Sequence, residues 1–197
     1  MNETTKILIA GVGGQGVVFL TNLLVKAAML ADIPVATSEI HGLAQRGGSV
    51  TAGITLGENS YGFLEAGGVD ILLGLEPLEA QRCVSYLNKN SIAVIDENRI
   101  LPYSVNSGNA AYPDIKMFVD YLKTNINTVI YNEDRPKGIN SIERNLYVLG
   151  KACKEINFPI SVGFIKKAIA QEVIKVREVK CLEAFELGFN KKEIIVD

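Results

Sequence analysis

Residues 7–17 read ILIAGVGGQGV, and this stretch decides the fold. The apolar residues 7–10 predict a buried strand that ends in a run of glycines. Residues 17–31 carry leucine and alanine at helical spacing and predict an amphipathic helix. Pro34 ends that helix, because the residue before a proline disfavours the helical conformation. A second strand is predicted at residues 35–39, so the chain opens as strand, glycine loop, helix and strand.

The sequence after the second strand predicts a mixed sheet. Residues 50–56 alternate between apolar and small or polar side chains, as in a half-buried strand. The connection before them is shorter than the dozen or more residues that a parallel crossover needs, so we expect this strand to be antiparallel. Further strands are predicted at residues 69–73, 91–95 and 128–131, and helices at residues 77–87 and 114–123.

After residue 138 the sequence shows helical periodicity and no strand pattern, which predicts three helices at the end of the fold. Strands and helices that alternate first, followed by helices only, indicate a three-layer α/β/α fold with a Rossmann-like start and a helical C-terminal part. We expect a single domain over residues 1–197, since this length is typical of one domain.

The glycine loop is the first candidate binding site. Its candidate residues are Gly11, Gly13, Gly14, Gln15 and Gly16. The loop fits the pattern G-x-G-x-x-G between a strand and a helix, which is the context of a dinucleotide-binding loop. Backbone N–H groups and a helix N-terminus form a cradle for anions, and Glu39 is a candidate for contact with a ribose. Three interpretations stay open on this pattern: an anion site, a dinucleotide site, or a tight turn in which glycines supply positive φ.

The second candidate site is the stretch 38–51, SEIHGLAQRGGSVT. Its candidate residues are Glu39, His41, Gln45, Arg46, Gly47 and Gly48. The guanidinium of Arg46 suits a carboxylate or a phosphate, although a structural ion pair in a solvated loop explains it as well. If the first two strands are parallel neighbours, both loops leave the same edge of the sheet and form a polar cleft that accepts anions.

Composition excludes several classes of protein. The 197 residues carry 20 Lys and Arg against 22 Asp and Glu, which argues against a basic nucleic-acid binder. Apolar stretches are broken well before 18 residues, so we expect no membrane span. The three cysteines, Cys83, Cys153 and Cys181, are far apart, and His41 is the only histidine. An iron–sulfur cluster or a multi-histidine metal site therefore cannot be built from this chain alone. Unpaired thiols fit a cytoplasmic protein, and we assign no catalytic residue and no metal ligand.

The two loops together resemble a known family. GVGGQGV followed by SEIHGLAQRGGSV is similar to the gamma subunits and domains of the 2-oxoacid:ferredoxin oxidoreductases, in particular to the beta subunits of the branch that acts on indolepyruvate. The segments LLGLEPLEA at 72–80 and AFELG at 184–188 extend the resemblance over the whole chain. Pyruvate and 2-oxoglutarate relatives share the glycine loop but typically carry a sequence closer to EMRGG in place of HGLAQRGG.

The resemblance implies a noncatalytic subunit of an enzyme complex. Such a complex oxidises a 2-oxoacid, here an aryl pyruvate, with coenzyme A to an acyl-CoA and CO2, and passes the electrons to ferredoxin. Thiamine diphosphate, Mg²⁺ and [4Fe-4S] clusters are then expected on a large alpha subunit, and none of them on this chain. We also expect the isolated chain to form a homodimer. The alternatives are an autonomous NAD(P)-binding oxidoreductase or a regulatory binding module on the same fold.

Overall fold

A computed structural model describes residues 4–41, 48–58, 60–134 and 136–190, and for residues 39–41 the backbone only. The elements are, in chain order, β1 (Thr5–Val12), α1 (Val17–Leu30), β2 (Val35–His41), β3 (Ser49–Leu56), β4 (Val69–Gly74), α2 (Pro77–Arg82), β5 (Leu87–Asp96), α3 (Tyr103–Asn106), α4 (Ile115–Asn125), β6 (Thr128–Asn132), α5 (Ser141–Glu155), α6 (Val162–Glu172) and α7 (Lys175–Asn190). In this part of the chain, no helix is long and apolar enough to cross a membrane.

The six strands form one mixed sheet in the order β2-β3-β1-β4-β5-β6. β1, β4, β5 and β6 pair in parallel, whereas β3 runs antiparallel to both of its neighbours. The predicted three-layer α/β/α class and the antiparallel third strand are therefore confirmed.

The expectation that β1 and β2 are neighbours is wrong. β3 lies between them, with Gly11 of β1 level with Val50 of β3 and His41 of β2. β1 and β2 still point in the same direction, because each is antiparallel to β3. The short connection turns the chain straight back from β2, and β3 then occupies the place beside β1 that a parallel crossover would have given to β2.

Two hydrophobic clusters cover the two faces of the sheet. The larger one joins β1, β3 and β4 to α1, α5, α6 and α7, through residues such as Ile7, Leu24 and Phe185. The smaller one packs α2 and α4 against the opposite face through Ala80, Phe118 and their neighbours. Alternate residues of β1 enter different clusters, as the period of a strand requires. Helices therefore lie on both faces of the sheet.

The chain between β4 and β5 differs from the prediction of one helix over residues 77–87. α2 ends at Arg82, a 3-10 turn follows at Val84–Tyr86, and β5 begins at Leu87. The hydroxyl of Ser91 explains this early start, because it accepts a bond from the Asn88 N–H at 2.8 Å and donates to the Val69 carbonyl at 2.6 Å. These bonds attach the polar beginning of β5 to β4.

Candidate functional site

The glycine turn between β1 and α1 exposes the N-terminus of a helix. Gly14 and Gly16 have φ values of 97° and 92°, which only glycine adopts readily. Gly16 is the N-cap of α1 and has no side-chain cap, and the first turn carries no acidic residue. The first N–H groups of a helix lack acceptors within the helix, and the helix dipole adds positive charge at this end. The turn therefore has the electrostatics of an anion cradle.

Gln15 holds this turn from the inside. Its side chain is only 4% exposed, its Nε2 donates to the Leu75 carbonyl at 3.0 Å, and its Oε1 accepts from the Val12 N–H at 2.7 Å. A Cβ at Gly11 would lie 2.8 Å from that Oε1. Gly11 is thus required by packing, and the polar atoms of Gln15 tie the end of β1 to the residue after β4. At the surface of the turn Gly14 is exposed and Gly13 is half-buried, whereas the Gln15 side chain points inward.

The two predicted loops contact each other at the carboxyl end of β1. The Gly13 N–H donates to the Gly48 carbonyl at 2.8 Å, so the residue before β3 lies directly beside the glycine turn. Gln45, Arg46 and Gly47 lie outside the described residues. Of the described residues of the second loop, Gly48 is the one that lies at the glycine turn.

Glu39 and His41 lie on β2, beyond β3 from the glycine turn. By register, Glu39 on the edge strand β2 is level with Ile9, three residues before the end of β1 and its glycine turn. Two strand spacings, about 9.5 Å, separate it from β1. The dinucleotide interpretation needs the acidic residue on the strand next to β1. The observed strand order does not provide that arrangement.

Helix α5 anchors the glycine turn from the other side. Asn145 donates from Nδ2 to the Gln15 carbonyl at 2.7 Å, and the Gly16 carbonyl lies 3.4 Å away. A Cβ at Gly16 would lie 2.9 Å from that Nδ2. The turn is thus fixed by a residue 130 positions away in sequence.

Arg144, the residue before Asn145 on α5, belongs to a buried charged network at the ends of β5 and β6. The Arg144 guanidinium binds both carboxylate oxygens of Asp96, with Nη2 at 2.9 Å from Oδ1, and also donates to the Asp134 carbonyl. Asn132 donates from Nδ2 to the same Oδ1 at 2.6 Å. The network thereby attaches α5, whose Asn145 holds the glycine turn, to the ends of β5 and β6. Burial raises the pKa of the Asp96 carboxyl, against the lowering by Arg144.

Two helix turns after Arg144, Lys151 completes the network. Its Nζ donates to Asn132 Oδ1 at 3.2 Å and to Asp134 Oδ2 at 3.0 Å, and the Tyr147 hydroxyl donates to the same Asp134 oxygen at 2.7 Å. Burial, followed by the bond to Asp134, raises the pKa of Tyr147. Sequence reasoning missed this network. Its visible signal is a pair of basic residues seven positions apart on an otherwise apolar helix face, with polar residues closing two strands.

Two further groups have structural roles. Glu76 is fully buried and caps α2 through the Glu79 N–H at 2.9 Å, and it also accepts from Tyr112. Burial raises the pKa of the Cys83 and Cys153 thiols to about 12. Cys181 is buried in the middle of α7, and its pKa is raised too. Among the described residues no group of His, Cys, Asp and Glu side chains has the arrangement of a metal site.

The fold and site together define a class of protein. It is an α/β fold with a mixed sheet, in which buried polar side chains hold a glycine turn and the uncapped N-terminus of α1 in place. The family model described as pyruvate ferredoxin/flavodoxin oxidoreductase matches residues 6–191. The chain therefore belongs to this family, and the resemblance found in the sequence is confirmed.

Relatives and solved structures agree with this assignment. The chain is 33% identical over 189 residues to a protein of Archaeoglobus fulgidus named indolepyruvate oxidoreductase subunit IorB, covering 94% of each chain. It is 34% identical over 187 residues to a protein of that name from Thermococcus kodakarensis, covering 92% of this chain and 93% of the other.

Its fold matches the gamma subunit of a keto/oxoacid ferredoxin oxidoreductase from Geobacter sulfurreducens, with a TM-score of 0.66 at 18% identity, over 94% of this chain and 96% of that one. It also matches 31% of a chain of 2-oxoglutarate:ferredoxin oxidoreductase from Magnetococcus marinus, with a TM-score of 0.65 at 17% identity and 95% of this chain covered.

Proposed function

We propose that this chain is a noncatalytic, single-domain subunit of a 2-oxoacid:ferredoxin oxidoreductase whose substrate is an aryl pyruvate, indolepyruvate above all. The complex oxidatively decarboxylates the 2-oxoacid with coenzyme A to an acyl-CoA and CO2, and ferredoxin takes the electrons. The observation that carries the proposal is the identity of about one third, over more than nine tenths of both chains, with relatives named as indolepyruvate oxidoreductase subunits.

The redox and thiamine cofactors belong to a large alpha subunit in this proposal. An iron–sulfur cluster needs thiolates that converge on one point. Here Cys83 lies in the cluster on one face of the sheet and Cys181 in the cluster on the other face. The cysteines of this chain do not fit a [4Fe-4S] cluster, so we assign the clusters, thiamine diphosphate and Mg²⁺ to the partner. The complex is cytoplasmic and meets ferredoxin through that partner.

In the proposal, the glycine turn and the loop that ends at Gly48 form the binding surface of this subunit. The turn offers backbone N–H groups and a positive helix end, and the second loop brings Arg46, Gln45 and Gly47 in sequence next to a residue that touches the turn. The phosphate-rich part of coenzyme A suits such a surface, because phosphate binds both helix N-termini and guanidinium groups. The other occupant is a facing segment of the thiamine-bearing subunit.

Turnover by defined mixtures tests the assignment. The purified chain, supplied with thiamine diphosphate, Mg²⁺, coenzyme A and a 2-oxoacid, is expected to reduce no electron acceptor. Addition of the large subunit is expected to give activity, highest with indolepyruvate among several 2-oxoacids. Sustained turnover by the chain alone contradicts the noncatalytic role, and an active mixture that prefers pyruvate contradicts the substrate class.

Replacement of Arg46 by alanine separates the two occupants of the loops. In the assembled complex, loss of one charge-assisted bond of about 1.5–3 kcal/mol corresponds to a change of roughly 10- to 150-fold. If coenzyme A binds there, its apparent KM rises by that factor. If the large subunit binds there, the dissociation constant of the subunits rises instead. Lys116→Ala on the exposed face of α4 is the control. If the apparent KM for coenzyme A and the dissociation constant of the subunits both change by less than about twofold, the assignment of Arg46 to the binding surface is wrong.

A further inference from the structure

The outer surface of α7 carries three exposed apolar residues among charged ones. One side of α7 packs against α5 and buries Phe185 and Gly188. Away from that side, the exposed fractions are 89% for Val176, 64% for Val179 and 46% for Leu187. β-branched residues lower helix propensity, and they gain nothing from burial while this surface is bare. Exposed apolar side chains gain free energy when a partner covers them.

Four residues form a stripe along this surface, which we call the α7 stripe: Val176, Lys180, Glu183 and Leu187. They occupy positions i, i+4, i+7 and i+11, which fall within about 60° of one another around a helix. All four are exposed. Their order is apolar, basic, acidic and apolar, so the stripe is self-complementary when it is read in the opposite direction.

We infer that the α7 stripe pairs with the α7 stripe of a second copy of this chain, antiparallel and around a twofold axis. With the axis between positions 180 and 183, Val176 packs on Leu187 of the second copy, and Lys180 meets its Glu183. Twofold symmetry forms each of these contacts twice, as in any isologous interface. A parallel, in-register pairing would place Lys180 against Lys180 and Glu183 against Glu183, which is repulsive.

The size of the surface sets the strength of the pairing. α7 has 16 residues and is about 24 Å long, so two such helices bury less than the ~1,200 Å² of a standard stable interface. We therefore expect a weak dimer, because interfaces below that size belong to transient complexes. The pairing is independent of the catalytic assignment, because it involves only this chain.

Sedimentation equilibrium of the full chain tests the pairing, at concentrations from about 1 to about 200 µM, which bracket a weak interface. We expect a monomer–dimer equilibrium for the wild type. Lys180→Glu and Glu183→Lys each create two like-charge contacts, and each is expected to weaken the dimer about tenfold or more. The double variant Lys180→Glu/Glu183→Lys restores both opposite-charge contacts and is expected to return to within about threefold of the wild type.

Two further variants make the test independent of net charge and of folding. Val176→Ser removes apolar contact without changing charge, and it is expected to weaken the dimer while circular dichroism stays unchanged. Lys116→Glu on α4 changes charge on a different exposed surface and is expected to leave the dimer intact. A wild type that stays monomeric at the highest concentration overturns the proposal. So does a dimer that none of the α7 variants weakens, and so does a double variant as weak as the single ones.

Discussion

We expect Arg144→Met to lower the free energy of unfolding by about 3–5 kcal/mol, because removal of one partner from a buried ion pair leaves the other charge unpaired. The Asp96 carboxylate that remains is 2% exposed and keeps, among the described residues, only its bond from Asn132. Met fills a similar volume, so the loss reports on the charge rather than on a cavity. The measurement is urea unfolding of the chain, followed by circular dichroism.

Two control variants decide whether the effect comes from the unpaired charge. Asp96→Leu combined with Arg144→Met removes both charges and is expected to recover much of the loss, since a buried pair contributes little compared with apolar residues of similar size. Lys116→Met removes a lysine from an exposed ion pair with Asp120 and is expected to match the wild type. An Arg144→Met variant as stable as the wild type, or a double variant worse than the single one, contradicts this account of the network.

The beginning of the fold was predictable because its signals are local. The apolar residues of β1, the glycines that follow and the periodicity of α1 lie within residues 7–31 and need no distant partner. The short connection before β3 also predicted an antiparallel strand correctly. It did not predict where that strand lies, because the place of β3 between β1 and β2 is decided by hydrogen bonding along both of its edges. For this reason the sequence analysis placed β1 and β2 side by side, although β3 lies between them.

The polar part of the site was less predictable than the glycine turn. Positive φ at Gly14 and Gly16 is a local property of the turn, and the glycines in the sequence indicate it directly. The bonds that hold the turn and α5 in place join residues far apart, such as Asn145 with Gln15 or Arg144 with Asp96. A charged residue on a helix is more often solvated than buried, so the sequence analysis did not single out Arg144 as a buried residue.

We expect Gly188→Ala to lower the free energy of unfolding by about 3 kcal/mol, because overpacking of a close contact forces the backbone to move. A Cβ at Gly188 would lie 2.0 Å from the Tyr147 carbonyl, and one at Gly150 would lie 2.2 Å from the Phe185 carbonyl. The two glycines thus let α5 and α7 cross in direct backbone contact. The obstacle is a carbonyl in the other helix, so rotation of a side chain cannot relieve the clash and the helices must separate.

Gly163→Ala in α6 is the matched control for this prediction. A Cβ at Gly163 would meet nothing within 4 Å. The same change is therefore expected to raise the free energy of unfolding by about 0.4–1 kcal/mol, since alanine restricts the unfolded chain. Both substitutions change a helical glycine to alanine, so the difference between them isolates the α5–α7 contact. Equal shifts of the urea midpoint in the two variants contradict the close helix crossing. Opposite shifts support it, and with it the placement of α5, whose Asn145 and Arg144 hold the glycine turn and the strand ends.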